Sequence, residues 1–135
     1  MSERHQKGEL ELMRKHQTQK EELLKTLLKS HHESQMKQLE GKFERENKEM
    51  KGRQAKISVE TAREVTSDKT LRNKAERERR LREKNSNNTK KFIEERKAAA
   101  AKQQKERERM RKQEEKQFQE LMRDCEYVSI FFPAL

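Results

Sequence analysis

The chain has 135 residues, of which 44% are charged and 28% apolar, with one Tyr, no Trp and a formal net charge of +10. A compact domain draws on about 45–50% apolar residues, so this composition excludes an ordinary globular core and leaves disorder or long helices that bury a narrow seam. Gly (three) and Pro (one) are scarce, while Glu, Lys, Arg, Gln, Leu and Ala abound, and that balance favours helix.

Residues 1–8 are predicted to be a disordered N-terminus. The opening MSERHQKGELELM lacks the apolar stretch of a signal peptide. No run of about 20 apolar residues follows, so any membrane association is expected to be peripheral.

From about Glu9 to Val65 apolar side chains recur every three or four residues. Met36, Phe43, Met50 and Ile57 are seven apart and Leu39 supplies a matching position, the mark of a coiled-coil stripe. Glu46 and Arg53 interrupt it. Together with Leu24, Leu28 and Phe92, the residues Leu39, Phe43, Met50 and Ile57 form the predicted seam. Glu→Lys/Arg pairs at i,i+4, including Glu21–Lys25, Glu49–Arg53, Glu76–Arg80 and Glu78–Arg82, are expected to add about 0.2–0.5 kcal/mol each.

Two breaks present themselves inside a helical region spanning 9–124. Residues 65–69 carry Ser67 and Asp68, either of which can cap a new helix. Residues 85–89 read Asn-Ser-Asn-Asn-Thr, types that favour caps and turns. A hairpin at one of them is predicted, although a continuous helix with polar interruptions also fits the count. The fold class expected is all-α: long antiparallel helices in an extended coiled coil with little or no globular core.

Charge is uneven along this frame. Between Lys69 and Lys97 twelve Lys or Arg face five Asp or Glu, so this segment holds a surplus of +7. Lys74, Arg77, Arg80, Lys84, Lys90, Lys91 and Lys97 are the candidate binding residues for a polyanion. Near an anionic leaflet each cation is worth about 1 kcal/mol, so half of the surplus would give ~3–4 kcal/mol, enough for recruitment. Nucleic acid is disfavoured, because no aromatic residues interleave for base stacking. A solvated face serving only solubility is the plainer reading of the same charge.

Chemistry finds little foothold. There is no Gly-rich phosphate loop or nucleophile elbow, so no catalytic residue and no cofactor are assigned. The adjacent His31 and His32 point about 100° apart on a helix and do not form a chelating pair, so no metal is expected. Cys125 lies between Asp124 and Glu126, which disfavours a reactive thiolate. A lone cysteine fits a reducing, intracellular setting. The apolar end CEYVSIFFPAL, residues 125–135, is expected to be an unstructured tail.

The block KEMKGRQAKISVETAREVTSDKTLRNKAERERRLREKNSNNTKKFIEERK closely resembles the distal C-terminal domain of beta-class phosphoinositide-specific phospholipase C. The most specific strings are Gln54-Ala55-Lys56-Ile57-Ser58, Asn73-Lys74-Ala75-Glu76-Arg77-Glu78-Arg79-Arg80 and Asn88-Thr89-Lys90-Lys91-Phe92. The likeness covers roughly residues 10 to 122. It implies a long antiparallel coiled coil that follows the catalytic part, assists association with the anionic inner plasma membrane and helps couple the enzyme to Gq-class α subunits. It also implies dimerisation, here a possible homodimer, and nuclear targeting. Nothing in the chain resembles the family's catalytic barrel, PH, EF-hand or C2 modules, so lipase activity is not carried over. The expected role is a non-catalytic regulatory segment in phosphoinositide signalling, cytoplasmic and peripheral at the inner plasma membrane, with the nucleus a second location. The alternatives are a structural oligomerisation module or a nuclear-targeting basic helix.

Overall fold

A computed structural model describes residues 2–131. Two long helices account for almost all of them: α1, Ser2–Ser67, and α2, Lys74–Phe131. The described residues contain no strand. Gly8, Gly41 and Gly52 lie inside α1 without positive φ, so they leave the helix uninterrupted.

Two compact units divide the chain, one joining Met1–Gln38 to Arg107–Leu135, the other formed by Leu39–Glu106. Within each, α1 and α2 pair antiparallel. In the second unit the α1 partners rise from Lys42 to Arg53 to Glu64 as their α2 mates fall from Glu106 to Glu95 to Lys84. In the first unit His32 meets Gln117, while Glu21 lies near Cys125.

The reversal occupies residues 68–73, overlapping the first of the two expected breaks, and residues 85–89 are helical. Neither Ser67 nor Asp68 caps α2. Ser67 Oγ donates back to Arg63 O at 2.8 Å, closing the end of α1. Asp68 Oδ1 accepts from Thr70 N at 3.0 Å and from Thr70 Oγ1 at 2.6 Å, an Asx-type turn. The cap of α2 is Asn73, whose Oδ1 accepts from Ala75 N at 3.2 Å. Arg77 Nε then donates to Leu71 O at 2.9 Å and ties the turn to the first turn of α2.

Both chain ends depart from expectation. Residues 2–8 belong to α1 instead of forming a disordered lead, since nothing in Glu3-Arg4-His5-Gln6-Lys7 breaks a helix that is already propagating. The tail expected to be unstructured from Cys125 continues α2 as far as Phe131, because Cys125 and Val128 follow the half-buried Leu121 and Met122 on the inner face. Residues 132–135 of that tail lie outside the described residues.

The seam follows a different count from the one the sequence suggested. Along α1 the inward positions Leu10, Glu21, His32, Phe43, Gln54 and Val65 are eleven apart, as are Gln17, Leu28, Leu39, Met50 and Thr61. Along α2 the same interval links Leu81, Phe92, Gln103, Glu114 and Cys125, and again Asn88, Ala99, Met110 and Leu121. Eleven residues make three turns at about 3.67 per turn, closer to the natural 3.6 of an α-helix than a heptad's 3.5.

A seven-residue count therefore drifts off the buried line. Phe43 (1% exposed) and Met50 (6%) lie on it, and Leu28, Leu39 and Phe92 are half-buried. Ile57 (41%) and Leu24 (49%) are exposed and do not belong to the seam. After Met50 burial passes to Gln54, Thr61 and Val65.

Candidate functional site

Because polar residues fill so much of the eleven-residue lines, the two helices are joined by hydrogen bonds as well as apolar contact. In the Leu39–Glu106 unit Gln103 Nε2 donates to Asn47 Oδ1 at 2.9 Å. Gln54 accepts from Arg96 Nε at 3.0 Å and donates to Glu95 Oε2 at 3.3 Å and Phe92 O at 3.4 Å. Asn88 Nδ2 donates to Thr61 Oγ1 at 2.9 Å. These bonds join particular positions on the two helices and so favour one register of α1 on α2.

Ion pairs reinforce that register at its edge. Arg53, expected to pair with Glu49, crosses to Glu95 at 3.2 Å; Lys42 reaches Glu106 at 3.6 Å and Lys84 reaches Glu64 at 3.7 Å. Within single helices Arg80 turns to Glu83 (3.6 Å) and Lys25 to Glu22 (3.7 Å), and the expected Glu78–Arg82 pair closes to 4.0 Å. Exposed pairs of this kind are worth little individually.

The cationic candidates all lie in the Leu39–Glu106 unit. Lys84 is half-buried and committed to Glu64. Arg77 is exposed but its Nε is used at the turn. Lys74, Lys90 and Lys91 are exposed and take part in no ion pair among the described residues, and Lys97 makes only an exposed contact with Glu94 at 3.9 Å.

These residues do not share one face. Lys90 precedes the inward Phe92 by two residues, about 200° around α2, so it points away from the seam. Lys97, seven residues on, lies on the same outer side. Arg80 and Lys91, eleven apart, form a flank about 100° from the seam. Arg79, which the sequence reading did not select, is exposed and eleven residues before Lys90, on the same outer line. The eleven-residue count would have found it.

A second surface went unnoticed in the sequence. In the first unit Leu12, Met13, Leu23, Leu24 and Leu27 are between 48% and 59% exposed. Leu12 and Leu23 are eleven apart, as are Met13 and Leu24, so they form apolar lines beside the seam.

The remaining reactive groups are quiet. Burial pushes the Cys125 thiol pKa up and the charge of Glu21 adds to it, against any thiolate at neutral pH. His32 Nε2 donates to Gln117 Oε1 at 2.8 Å, while its neighbour His31 stands with ring centroids 6.2 Å away. No group of three or more potential metal ligands occurs among the described residues, and among them no helix is long and apolar enough to cross a membrane.

Long helices paired antiparallel through a polar seam, with exposed cations on α2, define a coiled-coil domain. No family model matches the chain. A rat protein, 1-phosphatidylinositol 4,5-bisphosphate phosphodiesterase beta-4, is 54% identical over 67 residues, covering 50% of this chain and 6% of the relative. The solved C-terminal coiled coil of Drosophila phospholipase C beta NORPA superposes with a TM-score of 0.84 at 38% identity, over 94% of this chain and 60% of that one. The NORPA segment solved in complex with INAD PDZ45 gives 0.80 at 35% identity, over 96% and 56%. The chain belongs to the phospholipase C beta family and is its C-terminal coiled-coil region. It spans 6% of the length of the curated relatives it matches and carries no catalytic domain.

Proposed function

We propose that this region is a regulatory docking module of a beta-class phospholipase C. In this reading the seam holds α1 and α2 together, and the outer cations of α2 place the enzyme on an anionic membrane surface at the inner plasma membrane. The observation that carries it is the outer line of Arg79, Lys90 and Lys97, cations that are exposed and not consumed by pairing across the seam. Coupling to a Gq-class α subunit is part of the proposal on the strength of the family resemblance. The likeness to the NORPA segment solved with INAD PDZ45 supports a protein partner alongside the lipid one.

The test is co-sedimentation of the chain with neutral and anionic vesicles over a salt series. Selective binding to anionic vesicles that weakens with salt, and is lost on Arg79/Lys90/Lys97→Glu, is the expected result. Equal behaviour toward both vesicles overturns it.

A second reading has its own observation. Leu12, Met13, Leu23, Leu24 and Leu27 make an exposed apolar strip on α1. A second copy of the chain laid on that strip would bury it, which supports a homodimer.

A further inference from the structure

In the first unit a mainly apolar groove of about 730 Å³ runs between residues 25–36 of α1 and 111–118 of α2. That is the size of a small-molecule site, typically about 300–1,000 Å³. Its stretch of α1 is about 16 Å long at the rise of a helix. Met36 is half-buried along it, and Phe118, 44% exposed, offers it an aromatic ring. Glu114 also lines the groove. It lies on the inward line of α2, yet its Oε1 is buried and has no hydrogen-bond partner among the described residues. His32 and Gln117, on the same stretch, are bonded to each other at 2.8 Å. A buried carboxylate oxygen without a donor is costly, and a donor arriving through the groove would relieve it.

Charge around the groove is balanced, with Lys25, Lys29 and Arg111 against Glu33, Glu114 and Glu115. Lys25 is held by Glu22 at 3.7 Å, and Glu115 Oε1 accepts from Gln119 Nε2 at 3.5 Å. Lys29 and Arg111 enter no ion pair among the described residues. Equal numbers of both signs beside an apolar wall complement a ligand that carries both signs itself.

We propose that this groove binds a single-chain zwitterionic amphiphile, with a primary ammonium and a phosphate at the head of one apolar chain. The ammonium donates to Glu114. The terminal torsion of a glutamate is soft, so the carboxylate turns toward the groove at little cost and its buried oxygen gains the donor it lacks. The phosphate lies against Lys29 and Arg111, the guanidinium supplying paired N–H donors. The chain runs along Met36 and Phe118, where a flexible thioether and an exposed ring suit an irregular apolar body. This site stands apart from the membrane reading. It lies in a different unit from the outer cations of α2, and it selects a head of zero net charge where a cationic surface selects a negative one.

The full chain, isotopically labelled at its methionine methyls, is titrated with lysophosphatidylethanolamine kept below its micelle concentration and followed by NMR. The Met36 signal is expected to shift and saturate, while that of Met50, in the other unit, stays in place. Lysophosphatidic acid lacks the amine and phosphoethanolamine lacks the chain, so each is expected to bind at least about tenfold more weakly. Glu114→Gln keeps the size of the side chain and, by circular dichroism, the helix content. It is expected to weaken lysophosphatidylethanolamine about tenfold and leave lysophosphatidic acid unchanged, whereas Lys29→Gln weakens both. A Met36 signal that does not move overturns the site. Equal affinity for the two lysolipids, or binding untouched by Glu114→Gln, overturns the ammonium contact and the zwitterionic ligand with it. Phosphoethanolamine bound as tightly as its lysolipid overturns the apolar chain. Glu114→Gln should sediment with anionic vesicles as wild type does, so failure of this site and failure of the membrane reading are told apart.

Discussion

Asn88 Nδ2 donates to Thr61 Oγ1 at 2.9 Å, and that hydroxyl in turn donates a hydrogen bond to Ile57 O at 2.8 Å. One small side chain on α1 is thus both the acceptor that holds α2 and a donor within its own helix. Replacing Thr61 by Val removes the acceptor and strands the half-buried Asn88 amide. A loss of about 1–3 kcal/mol is expected in urea unfolding followed by circular dichroism. Adding Asn88→Leu should recover part of it, whereas strictly additive losses would contradict the coupling.

Phe43 and Ile57 separate two versions of the seam. Phe43 is 1% exposed and Ile57 41%. Phe43→Ala is expected to cost about 3–5 kcal/mol and Ile57→Ala less than about 1 kcal/mol. Equal costs would restore the seven-residue seam.

Asp68 titrates with the turn. Hydrogen bonds from the Thr70 hydroxyl first and the Thr70 backbone N–H second hold its pKa below the usual value, with Lys84 and Arg80 assisting. A pKa lower in the folded than in the unfolded chain means that its stabilisation is fully present above the unfolded value. It is then lost as pH falls through the lower folded one. An NMR titration should place the Asp68 midpoint below that of a free Asp peptide, and Thr70→Val should raise it. A midpoint indifferent to Thr70 would show that the turn does not set it.

The outer line and the flank of α2 should respond differently to charge reversal. Lys90/Lys97→Glu is expected to reduce anionic-vesicle binding more than Arg80/Lys91→Glu, since the first pair points away from α1. The reverse order would place lipid on the flank.

Sedimentation equilibrium addresses the leucines. Wild-type chain is expected to show a concentration-dependent dimer, and Leu23/Leu27→Glu to sediment as a monomer with unchanged helix content. A wild-type monomer at all concentrations would leave Leu12 to Leu27 for another partner.

The helices were legible because their composition offers almost nothing else: few breakers, many good helix formers and too little apolar area for a compact core. The site of the turn was half legible. Ser67 and Asp68 marked the right neighbourhood, but their side chains were claimed by Arg63 O and Thr70, so the capping role passed to Asn73. The seam misled for a geometric reason. Met36, Phe43 and Met50 lie seven apart only because they step across three neighbouring eleven-residue lines, and the next step of seven leaves the buried face at Ile57. Gln54, Thr61 and Gln103 were passed over because a search for apolar periodicity does not register polar residues that a partner helix will satisfy. All the basic candidates except Lys84 are exposed, but a count of charge alone could not divide them between an outer line and a flank.

The eleven-residue lines make the hairpin divisible. Removing eleven residues from α1 and eleven from α2 on the turn side of the Asn47–Gln103 bond would excise one whole repeat from each arm. Every remaining inward position would keep its orientation, and each would still face its original mate. Removing eleven from one arm alone would keep the orientation but change every mate, so that Asn47 would lose Gln103. Removing seven would rotate the stripe itself. Length in this module is therefore a quantity that can change only in whole steps taken by both arms together, and a natural or engineered variant of different reach should differ by such steps.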